Sequence, residues 1–438
     1  MYSPLNVASA LPEYYALHAP PPPETEALGG DRAADVAIIG AGYTGLSAAL
    51  DLAEKGVRAV VVDANDIGWG ASGRAFGQVV PYAKQDHDDI LAHFGRSVGQ
   101  RLIDTIATGP DLVFGLIEKH GMSCSAVRQG VLFASHSPEG LRTLERRAAY
   151  WQSRGSSVEM LDRDRTSAFV GSELYRGSCL DHRGGTINPL AYARGLAHAA
   201  VRGGAVIHTH SRVTSLDREG GGWVLATPRG RLRANVVILG TNAYTDHLWP
   251  GLRESIIPLR GHQLVSEPLS DNLRRSILPG RQSMTDTRRL FSGVRMHADG
   301  RLHVSSDGPA FDPVGGPYVH RIKQRLATLF PYLGDVRWDY TWSGWVAMTV
   351  DHYPHLHALA PGLFAGIGYS GRGIAMGTLM GKDLAALAMG GRRDDLLFPV
   401  TPLKPTMVSR LARPLVGSLM TYYRFRDGWS LRRHIGKR

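Results

Sequence analysis

The sequence predicts an α/β fold, α+β overall, in which a discontinuous, doubly wound domain is interleaved with a second domain built on a mixed sheet. Three observations lead to this prediction. An apolar strand, a glycine-rich turn and a helical pattern follow one another within residues 35–56. Pieces of the same kind return at 205–242 and 366–389. Between them, residues 256–345 alternate short strand-like runs with turns, which is typical of an antiparallel sheet.

The composition describes a globular protein of more than one domain. The chain has 438 residues, of which 43% are hydrophobic and 20% charged, so we expect two or three domains. The formal net charge of +11 comes mostly from arginine and by itself indicates only non-specific association with anions. Cys124 and Cys179 lie far apart and predict neither a disulfide framework nor a cysteine-ligated metal. Without a leader pattern or a long apolar run, we expect a cytoplasmic protein.

The first glycine-rich turn has the spacing GxGxxG and follows the apolar run 36–39. Gly40 permits a tight turn, Gly42 lets the backbone approach a pyrophosphate, and Gly45 lets the helix pack closely on the strand. The next strand ends at Asp63, whose carboxylate can accept hydrogen bonds from ribose hydroxyls and would repel a 2′-phosphate. These residues predict a dinucleotide site and disfavour NADP.

Two segments are unusual for a plain Rossmann-like NAD domain. Residues 1–33 contain four consecutive prolines at 20–23 and predict an extended arm that leads into the first strand. After the second strand the chain enters a second glycine-rich loop at 67–78 rather than a helix. A helical pattern follows at 87–122 and ends at a glycine. The second loop therefore argues against a plain NAD domain.

The scattered nucleotide-binding pieces predict a discontinuous domain with a second domain inserted between them. A hairpin of 223–227 and 232–239 returns the chain to a buried strand with small polar residues at its carboxyl end, where open α/β sheets bind ligands. The predicted boundaries are 1–33 for the extended arm, 34–86, 150–242 and 342–392 for the Rossmann-like domain, 87–149 and 243–341 for the substrate domain, and 393–438 for a basic, aromatic C-terminal tail.

Five motifs, in the same order along almost the whole chain, carry a resemblance to a known family. They are the proline-containing arm, the sequence from Ala37 to Ser47, the loop Gly68–Arg74, the segment Trp342–Thr349 with Asp351 and Pro354, and the loop Gly368–Gly373. Together they resemble FAD-dependent oxidoreductases of the glycine/D-amino-acid oxidase family, and within it the gamma-glutamylputrescine oxidase branch. The order and number of the motifs make this resemblance more specific than the first fingerprint alone.

The resemblance implies a Rossmann-like FAD-binding domain that holds non-covalent FAD in an extended form. The ADP half would lie on the first turn, and the flavin ring would lie against the loops at 70–78 and 366–374. The sequence has no histidine between residues 63 and 86 and no cysteine near the last loop, so covalent attachment of the flavin at these positions is not supported. The predicted cofactor-binding residues are Gly40, Ala41, Gly42, Tyr43, Thr44, Gly45, Asp63, Ala64, Gly70, Ala71, Ser72, Gly73, Arg74, Gln78, Val213, Thr241, Asn242, Gly368, Gly371, Arg372, Gly373 and Ile374.

The resemblance also implies oxidation of a C–N bond in an amine or amino-acid-like substrate, such as an N-acylated polyamine. A hydride would pass to flavin N5, the imine would hydrolyse, and dioxygen would reoxidise the flavin with release of hydrogen peroxide. A nearby positive charge would assist electron transfer to oxygen. The candidate catalytic residues are Arg74, Arg260, His262 and Arg372, although each arginine could equally hold a phosphate or a structural carboxylate.

Three alternatives remain open at this point. A flavin dehydrogenase would pass electrons to a membrane quinone or carrier instead of dioxygen, with the basic tail making a weak membrane-surface contact. An RNA-associated flavoprotein is suggested only by the net charge, and we predict no specific nucleic acid. A nicotinamide dehydrogenase is disfavoured by the loop at 68–77. We predict no metal site, because the histidines at 208 and 210 and at 352–357 lack clustered cysteine or carboxylate partners.

Two departures from the family pattern affect the expected substrate side. Ala75-Phe76 stands where the branch usually continues the Gly-Arg loop with Asn-Gly. Ser305-Ser306-Asp307 stands where a glycine pair and an arginine would be usual. Neither change touches the ADP fingerprint. We therefore expect FAD binding to be retained and the substrate side to be reshaped.

Overall fold

The computed structural model describes residues 10–288, 292–308 and 316–410. Two large sheets and the helices packed on them make up this part of the chain. The strands are β1 (Gly30–Ile39), β2 (Ala59–Val62), β3 (Gln78–Val79), β4 (Val131–Ser135), β5 (Val158–Leu161), β6 (Gly177–Asp181), β7 (Gly185–Thr186), β8 (Val206–His208), β9 (Ser215–Glu219), β10 (Gly222–Ala226), β11 (Gly230–Leu239), β12 (Ile257–Pro268), β13 (Ser283–Asp286), β14 (Ser292–Met296), β15 (Arg301–Gly308), β16 (Trp338–Met348), β17 (His355–Ala360) and β18 (Leu363–Ile367). The helices are α1 (Glu13–Leu17), α2 (Tyr43–Glu54), α3 (His87–Ala107), α4 (Gly109–His120), α5 (Pro138–Gln152), α6 (Arg163–Val170), α7 (Pro189–Arg202), α8 (Asp271–Ser276), α9 (Pro317–Leu329), α10 (Gly373–Ala388) and α11 (Met407–Arg410).

The first sheet has the strand order β17, β18, β11, β1, β2, β8, and the hairpin of β9 and β10 extends from β11. β1 runs parallel to both β2 and β11, and β11 runs parallel to β18. Helices cover this sheet, so its central strands are apolar on both faces, as in the fully buried runs 36–39 of β1 and 59–62 of β2. The predicted Rossmann-like fold is confirmed, and the carboxyl ends of its parallel strands meet at one edge.

Helix α2, which follows the first glycine turn, packs against two helices that come much later in the chain. It packs against α7 and α10. The hydroxyl of Ser47 donates a 2.7 Å hydrogen bond to the carbonyl oxygen of Thr378 in α10. The hydroxyls of Tyr192 in α7 and Thr378 lie 3.2 Å apart in the same buried layer. The opening turn is therefore fixed by residues far away in the sequence.

The second sheet has the order β16, β12, β15, β14, β13, β4, β6, β5. Its pairings are antiparallel except for β13 with β4, which confirms a mixed sheet. The predicted range 150–242 of the first domain needs correction, because it includes β5 and β6. β6 pairs with β4, and β5 pairs with β6, so both strands belong to the second sheet. The predicted range 342–392 likewise includes residues 342–348 of β16, which pairs with β12 in the second sheet. The other predicted domain boundaries remain predictions.

The predicted extended arm contains a short helix, α1. Its Tyr15 is fully buried, and the Tyr15 hydroxyl donates a 2.9 Å hydrogen bond to the carbonyl oxygen of Ala75. Burial of an aromatic ring with a satisfied hydroxyl explains why this part of the arm is ordered. The arm is thereby attached to the second glycine-rich loop.

The predicted basic tail falls largely on residues 411–438, which lie outside the described residues. The described part of the tail contains α11. In the described ranges, none of the helices combines the length and apolar character needed to cross a bilayer.

Candidate active site

A cavity of about 470 Å³ lies between the carboxyl edge of the first sheet and one face of the second. One end is lined by the first glycine turn, by Asp63 and by Thr241 after β11. The middle is lined by the second glycine-rich loop and the start of α10. The far end is lined by strands of the second sheet. This elongated form suits a ligand with a nucleotide at one end and a reacting group near the other.

In the first glycine turn, Gly45 lies where α2 packs on β1, and there is no room for a side chain at this position. A Cβ atom on Gly45 would lie 2.0 Å from the carbonyl oxygen of Gly40, well inside van der Waals contact. Gly40 itself has a φ of +111°, which L side chains rarely adopt, and it faces the carbonyl of Gly240. The turn therefore keeps the start of α2 close to the ends of β1 and β11.

Asp63 connects the end of β2 to the same turn. The amide of Ala41 donates a 2.6 Å hydrogen bond to its Oδ2, and the amide of Asn65 donates a 2.8 Å bond to its Oδ1. Burial raises the pKa of Asp63 to about 6, although the two amides oppose this change. Each carboxylate oxygen retains a lone pair that could accept a hydrogen bond from a ribose hydroxyl.

Both long helices that begin at the cavity have N-termini without a side-chain cap. Gly42 precedes α2, where the amide of Tyr43 donates a 3.1 Å hydrogen bond to the hydroxyl of Ser72. Arg372 precedes α10, and Gly373 and Ile374 of its first turn line the cavity. The positive ends of two helix dipoles therefore face the cavity, which favours negatively charged or carbonyl-bearing groups.

Arg74 fixes the second glycine-rich loop against the second sheet. Its Nε donates a 2.8 Å hydrogen bond to the carbonyl of Trp69, and its own carbonyl accepts a 3.0 Å bond from the indole of Trp342. The guanidinium carbon lies 5.0 Å from the Trp69 ring centroid. Burial lowers the pKa of Arg74, which nevertheless remains a strong cation at neutral pH. A positive charge is thus held at the middle of the cavity.

The residues present fit an extended FAD. Gly40, Ala41 and Gly42 of the first turn line the cavity where a pyrophosphate would lie, and Asp63 is placed to accept from a ribose. The uncapped start of α10 supplies backbone donors for an electron-accepting ring. The fit thus rests on the turn, the acid after β2 and the start of α10, which line one cavity.

Most predicted cofactor residues lie on this one cavity. Three of them, Gly45, Gly73 and Gly368, instead pack behind its wall, where Gly368 donates its amide to Asn242 Oδ1 at 2.9 Å. Their assignment as cofactor contacts remains a prediction. The predicted residues that line the cavity are Gly40, Ala41, Gly42, Tyr43, Thr44, Asp63, Ala64, Gly70, Ala71, Ser72, Arg74, Gln78, Val213, Thr241, Asn242, Gly371, Arg372, Gly373 and Ile374.

Two of the four candidate catalytic residues are not brought to this cavity. Successive residues of a strand point to opposite faces, and on β12 it is Gly261 and Gln263 that line the cavity. Arg260 and His262 therefore point to the other face, where Arg260 lines a second cavity of about 380 Å³. Arg74 lines both cavities. Arg260 and His262 thus do not line the main cavity, and their catalytic roles remain predictions.

Sequence reasoning missed several charged and polar side chains at the far end of the cavity. Lys84 lines the cavity and directly follows the segment 79–83. The only feature of the sequence that could have indicated a role for it is the presence of a lysine in a chain whose basic residues are mostly arginine. Arg147 lies on α5, which reads simply as a basic helix. Gln263 neighbours the predicted His262 and donates a 2.8 Å hydrogen bond to Ser305. Distant segments supply this end, so no local motif marks it.

Comparisons with known proteins agree with this geometry. A family model described as FAD dependent oxidoreductase matches residues 35–387. Gamma-glutamylputrescine oxidoreductase of Escherichia coli K12 is 32% identical over 418 residues, covering 94% of this chain and 97% of that protein. A probable oxidoreductase, OrdL, of Haemophilus influenzae is 29% identical over 90% of this chain and 92% of its own length. The crystal structure of glycine oxidase from Geobacillus kaustophilus superposes with a TM-score of 0.71 at 24% identity, covering 86% of this chain and 99% of that one.

Proposed function

The chain belongs to the family of FAD-dependent oxidoreductases, and from this membership we propose that it oxidises a C–N bond of an amine, with dioxygen as the electron acceptor. FAD is its cofactor, which we propose is held non-covalently. The substrate is an amine or an amino-acid-like compound such as an N-acylated polyamine. The E. coli relative is named for gamma-glutamylputrescine, and we extend that compound class to this chain as part of the proposal.

The observation that carries the proposal is a single cavity that begins at a nucleotide-binding turn and ends at a charged pocket on the second sheet. The turn and Asp63 would hold the ADP half. The loop at 70–78 and the start of α10 would hold the flavin half. The charged end would then hold the substrate beside the reacting ring.

When bound, FAD supplies a two-electron acceptor that takes up a hydride at N5 and is restored by dioxygen with release of hydrogen peroxide. The oxidised substrate is an imine, which water hydrolyses to a carbonyl compound and an amine or ammonia. The chain contributes orientation and electrostatics rather than an acid–base pair. Arg74 and the uncapped start of α10 would place positive potential beside the ring, which would favour the negative charge of the reduced state.

The proposal is tested with the purified protein and a panel of amines. We expect a yellow protein whose flavin absorbance bleaches under anaerobic conditions with one amine class and recovers on admission of air. Oxygen consumption and hydrogen peroxide formation should match the amine consumed. A folded, colourless protein that does not take up FAD would contradict the proposal.

The same panel separates the oxidase from a dehydrogenase that serves a quinone or carrier. The oxidase forms peroxide in air at a rate close to its rate of dye reduction without air. A dehydrogenase reduces dyes or quinones rapidly but reoxidises slowly in air. That second result would keep amine oxidation and replace dioxygen as the acceptor.

A further inference from the structure

A buried arginine lies behind the second glycine-rich loop without a carboxylate partner. Arg295, on β14, is 3% exposed. Its guanidinium donates three hydrogen bonds, all to uncharged acceptors: Nη1 to the carbonyl oxygen of Ile187 at 3.0 Å, Nη2 to the hydroxyl of Tyr15 at 3.2 Å, and Nε to Nδ1 of His303 at 3.3 Å. Within the described residues, Arg295 forms no ion pair. Buried charges are normally paired, so an unpaired cation at this position is unusual.

The groups that accept these hydrogen bonds do not neutralise the charge. Burial raises the pKa of Tyr15 to about 12, although Arg295 opposes that rise, so the phenol is uncharged at neutral pH. Burial, and after it the charge of Arg295, hold the pKa of His303 well below its ordinary value, so this imidazole is uncharged as well. The carboxylate of Asp299, which follows β14, lies 3.3 Å from Nε of Arg301 and is paired there. The positive charge of Arg295 is therefore uncompensated.

Arginine can only donate, so Arg295 fixes the direction of a chain of hydrogen bonds that ends at the main cavity. Nδ1 of His303 accepts from Arg295, so its Nε2 carries the proton and donates to Oε1 of Gln263 at 2.9 Å. The amide of Gln263 is thereby oriented, and its Nε2 donates to the hydroxyl oxygen of Ser305 at 2.8 Å. The hydroxyl proton of Ser305 is left to donate further. Gln263 and Ser305 line the cavity, whereas Arg295 and His303 lie behind them.

The register of the second sheet places these four side chains on one face. Arg295 on β14 is the register partner of His303 on β15, and Ser305 on β15 is the partner of Gln263 on β12. His303 and Ser305 are two residues apart on one strand and therefore point the same way. All four residues are at most 4% exposed. Successive buried hydrogen bonds polarise one another, so the cation strengthens the Ser305 hydroxyl as a donor.

The guanidinium also lies close to the loop that would hold the flavin half. A Cβ atom on Gly77 would lie 2.8 Å from Nη1 of Arg295, and the ring centroid of Phe76 lies 5.4 Å from the guanidinium carbon. Both Phe76 and Gly77 line the cavity. Phe76 and Ser305 belong to the two departures from the family pattern. These departures thus meet the same buried cation, one through its ring and the other through the chain of hydrogen bonds.

We infer that Arg295 is a positioning residue that favours the reduced flavin, acting through His303, Gln263 and the hydroxyl of Ser305. A hydride brings two electrons and one proton to FAD, so the reduced cofactor carries one more negative charge. An uncompensated cation in a buried wall stabilises that charge, because little water screens it. The inference rests on the proposed function, since it concerns the flavin of the same cavity.

The test measures the two-electron reduction potential of the FAD-loaded enzyme, without any amine, by anaerobic titration against a reference dye. Arg295→Met removes the charge, Arg295→Lys keeps it, and Ser305→Ala removes the last donor of the chain. The matched control is Arg194→Met in α7. Arg194 is also buried, donates a 2.8 Å hydrogen bond to the carbonyl oxygen of Pro20, and lines neither of the two cavities described above.

Loss of the charge should make the flavin harder to reduce. Arg295→Met should lower the equilibrium constant for reduction about tenfold, which is a fall of about 30 mV for a two-electron couple. Arg295→Lys should recover about half of that fall or more. Ser305→Ala should lower the equilibrium constant by a smaller factor, about threefold. Arg194→Met should leave the potential unchanged. An unchanged potential in Arg295→Met would overturn the inference, as would falls of the same size in Arg295→Lys or in Arg194→Met.

A double-mutant cycle separates action through the chain from a charge that acts only through space. If the chain carries the effect, Ser305→Ala should lower the potential less in the Arg295→Met background than in the unaltered enzyme. Strictly additive shifts would overturn the inference, because His303, Gln263 and Ser305 would then have no part in it.

Thermal unfolding of each apoprotein variant identifies misfolding. Should Arg295→Met fail to fold, Ser305→Ala still tests the inference, because it changes one hydroxyl on the cavity wall and must lower the potential. The measurement does not depend on turnover. If no amine in the panel reduces the flavin while the potentials follow the expected pattern, the proposed oxidation fails and the role of Arg295 stands. If amines are oxidised while Arg295→Met and Ser305→Ala leave the potential unchanged, the reverse holds.

Discussion

The Oδ2 atom of Asp63 accepts a 2.6 Å hydrogen bond from the backbone amide of Ala41, which joins the end of β2 to the glycine turn that begins α2. The carboxylate therefore orders the turn and, through its remaining lone pairs, can hold a ribose. One side chain would thus couple the shape of the turn to recognition of the nucleotide.

Replacing Asp63 by asparagine should weaken FAD binding by about tenfold or more, because a charged acceptor is lost both to the turn and to the ribose. The dissociation constant can be measured by fluorescence titration of the apoprotein. Asp35→Asn is the control, since Asp35 lies in the middle of β1, does not line the cavity and pairs with Arg58 on the surface. An unchanged dissociation constant for Asp63→Asn would remove Asp63 from the site.

The raised pKa of Asp63 also predicts a pH dependence. The carboxylate takes up a proton as the pH falls through about 6, so FAD affinity should decrease on that side. The apoprotein should respond in the opposite sense. The folded apoprotein binds this proton more tightly than the unfolded chain does, so the ionised carboxylate destabilises the fold. The free energy of unfolding should therefore rise as the pH falls from above 6 towards the ordinary pKa of aspartate in an unfolded chain. Titrations and melting curves at several pH values check both trends, and Asp63→Asn should flatten both.

Gly45→Ala should damage both stability and FAD binding. The new Cβ would lie 2.0 Å from the carbonyl oxygen of Gly40, so the start of α2 must move away from the strand. We expect a loss of about 1–3 kcal/mol in the free energy of unfolding, typical of overpacking, together with loss of the yellow colour. Gly115→Ala in α4 is the matched control, because its Cβ meets nothing within 4 Å and the alanine should stabilise the helix slightly. Equal effects of the two substitutions would contradict this account.

The hydroxyls of Thr44 and Tyr369 lie 2.7 Å apart in a buried contact between α2 and the loop before α10. A double-mutant cycle with Thr44→Val and Tyr369→Phe should give a coupling of about 0.5–1.5 kcal/mol in the free energy of unfolding. Each single variant leaves one hydroxyl buried without its partner, so the double variant should be less destabilised than the sum of the two. Strict additivity would mean that the contact contributes nothing.

The part of the site that could be predicted from sequence is the part formed by neighbouring residues. Gly40, Gly45 and Asp63 follow a spacing set by one strand, one turn and one more strand, so their convergence is a local consequence of the fold. The alternation of side chains along β12 is also visible in the local sequence. The sequence does not indicate, however, which face of β12 lines the cavity. Arg260 was therefore expected on the cavity, whereas Gln263 occupies it.

The far end of the cavity could not be predicted in this way. Lys84, Asp307 and Arg372 come from an irregular segment, a strand of the second sheet and the loop before α10, and only tertiary packing brings them to one space. β5 and β6 show the same limit, because a short strand contains little information about which sheet it joins. A departure such as Asp307 could be noticed in the sequence, but its position on the cavity with Lys84 and Arg372 could be recognised only in the folded chain.

The interleaved order of the first sheet has a consequence for synthesis of the protein. β11 lies between β1 and β18, so the strands around the glycine turn come from residues 30–39, 230–239 and 363–367. A ribosome delivers the first of these long before the last, and non-local pairing of this kind is slow. A nascent chain halted before β18 has its GxGxxG turn but neither Tyr369 nor the start of α10. We therefore expect cofactor capture to be a late event, which follows translation of most of the chain rather than accompanying the emergence of its nucleotide-binding motif.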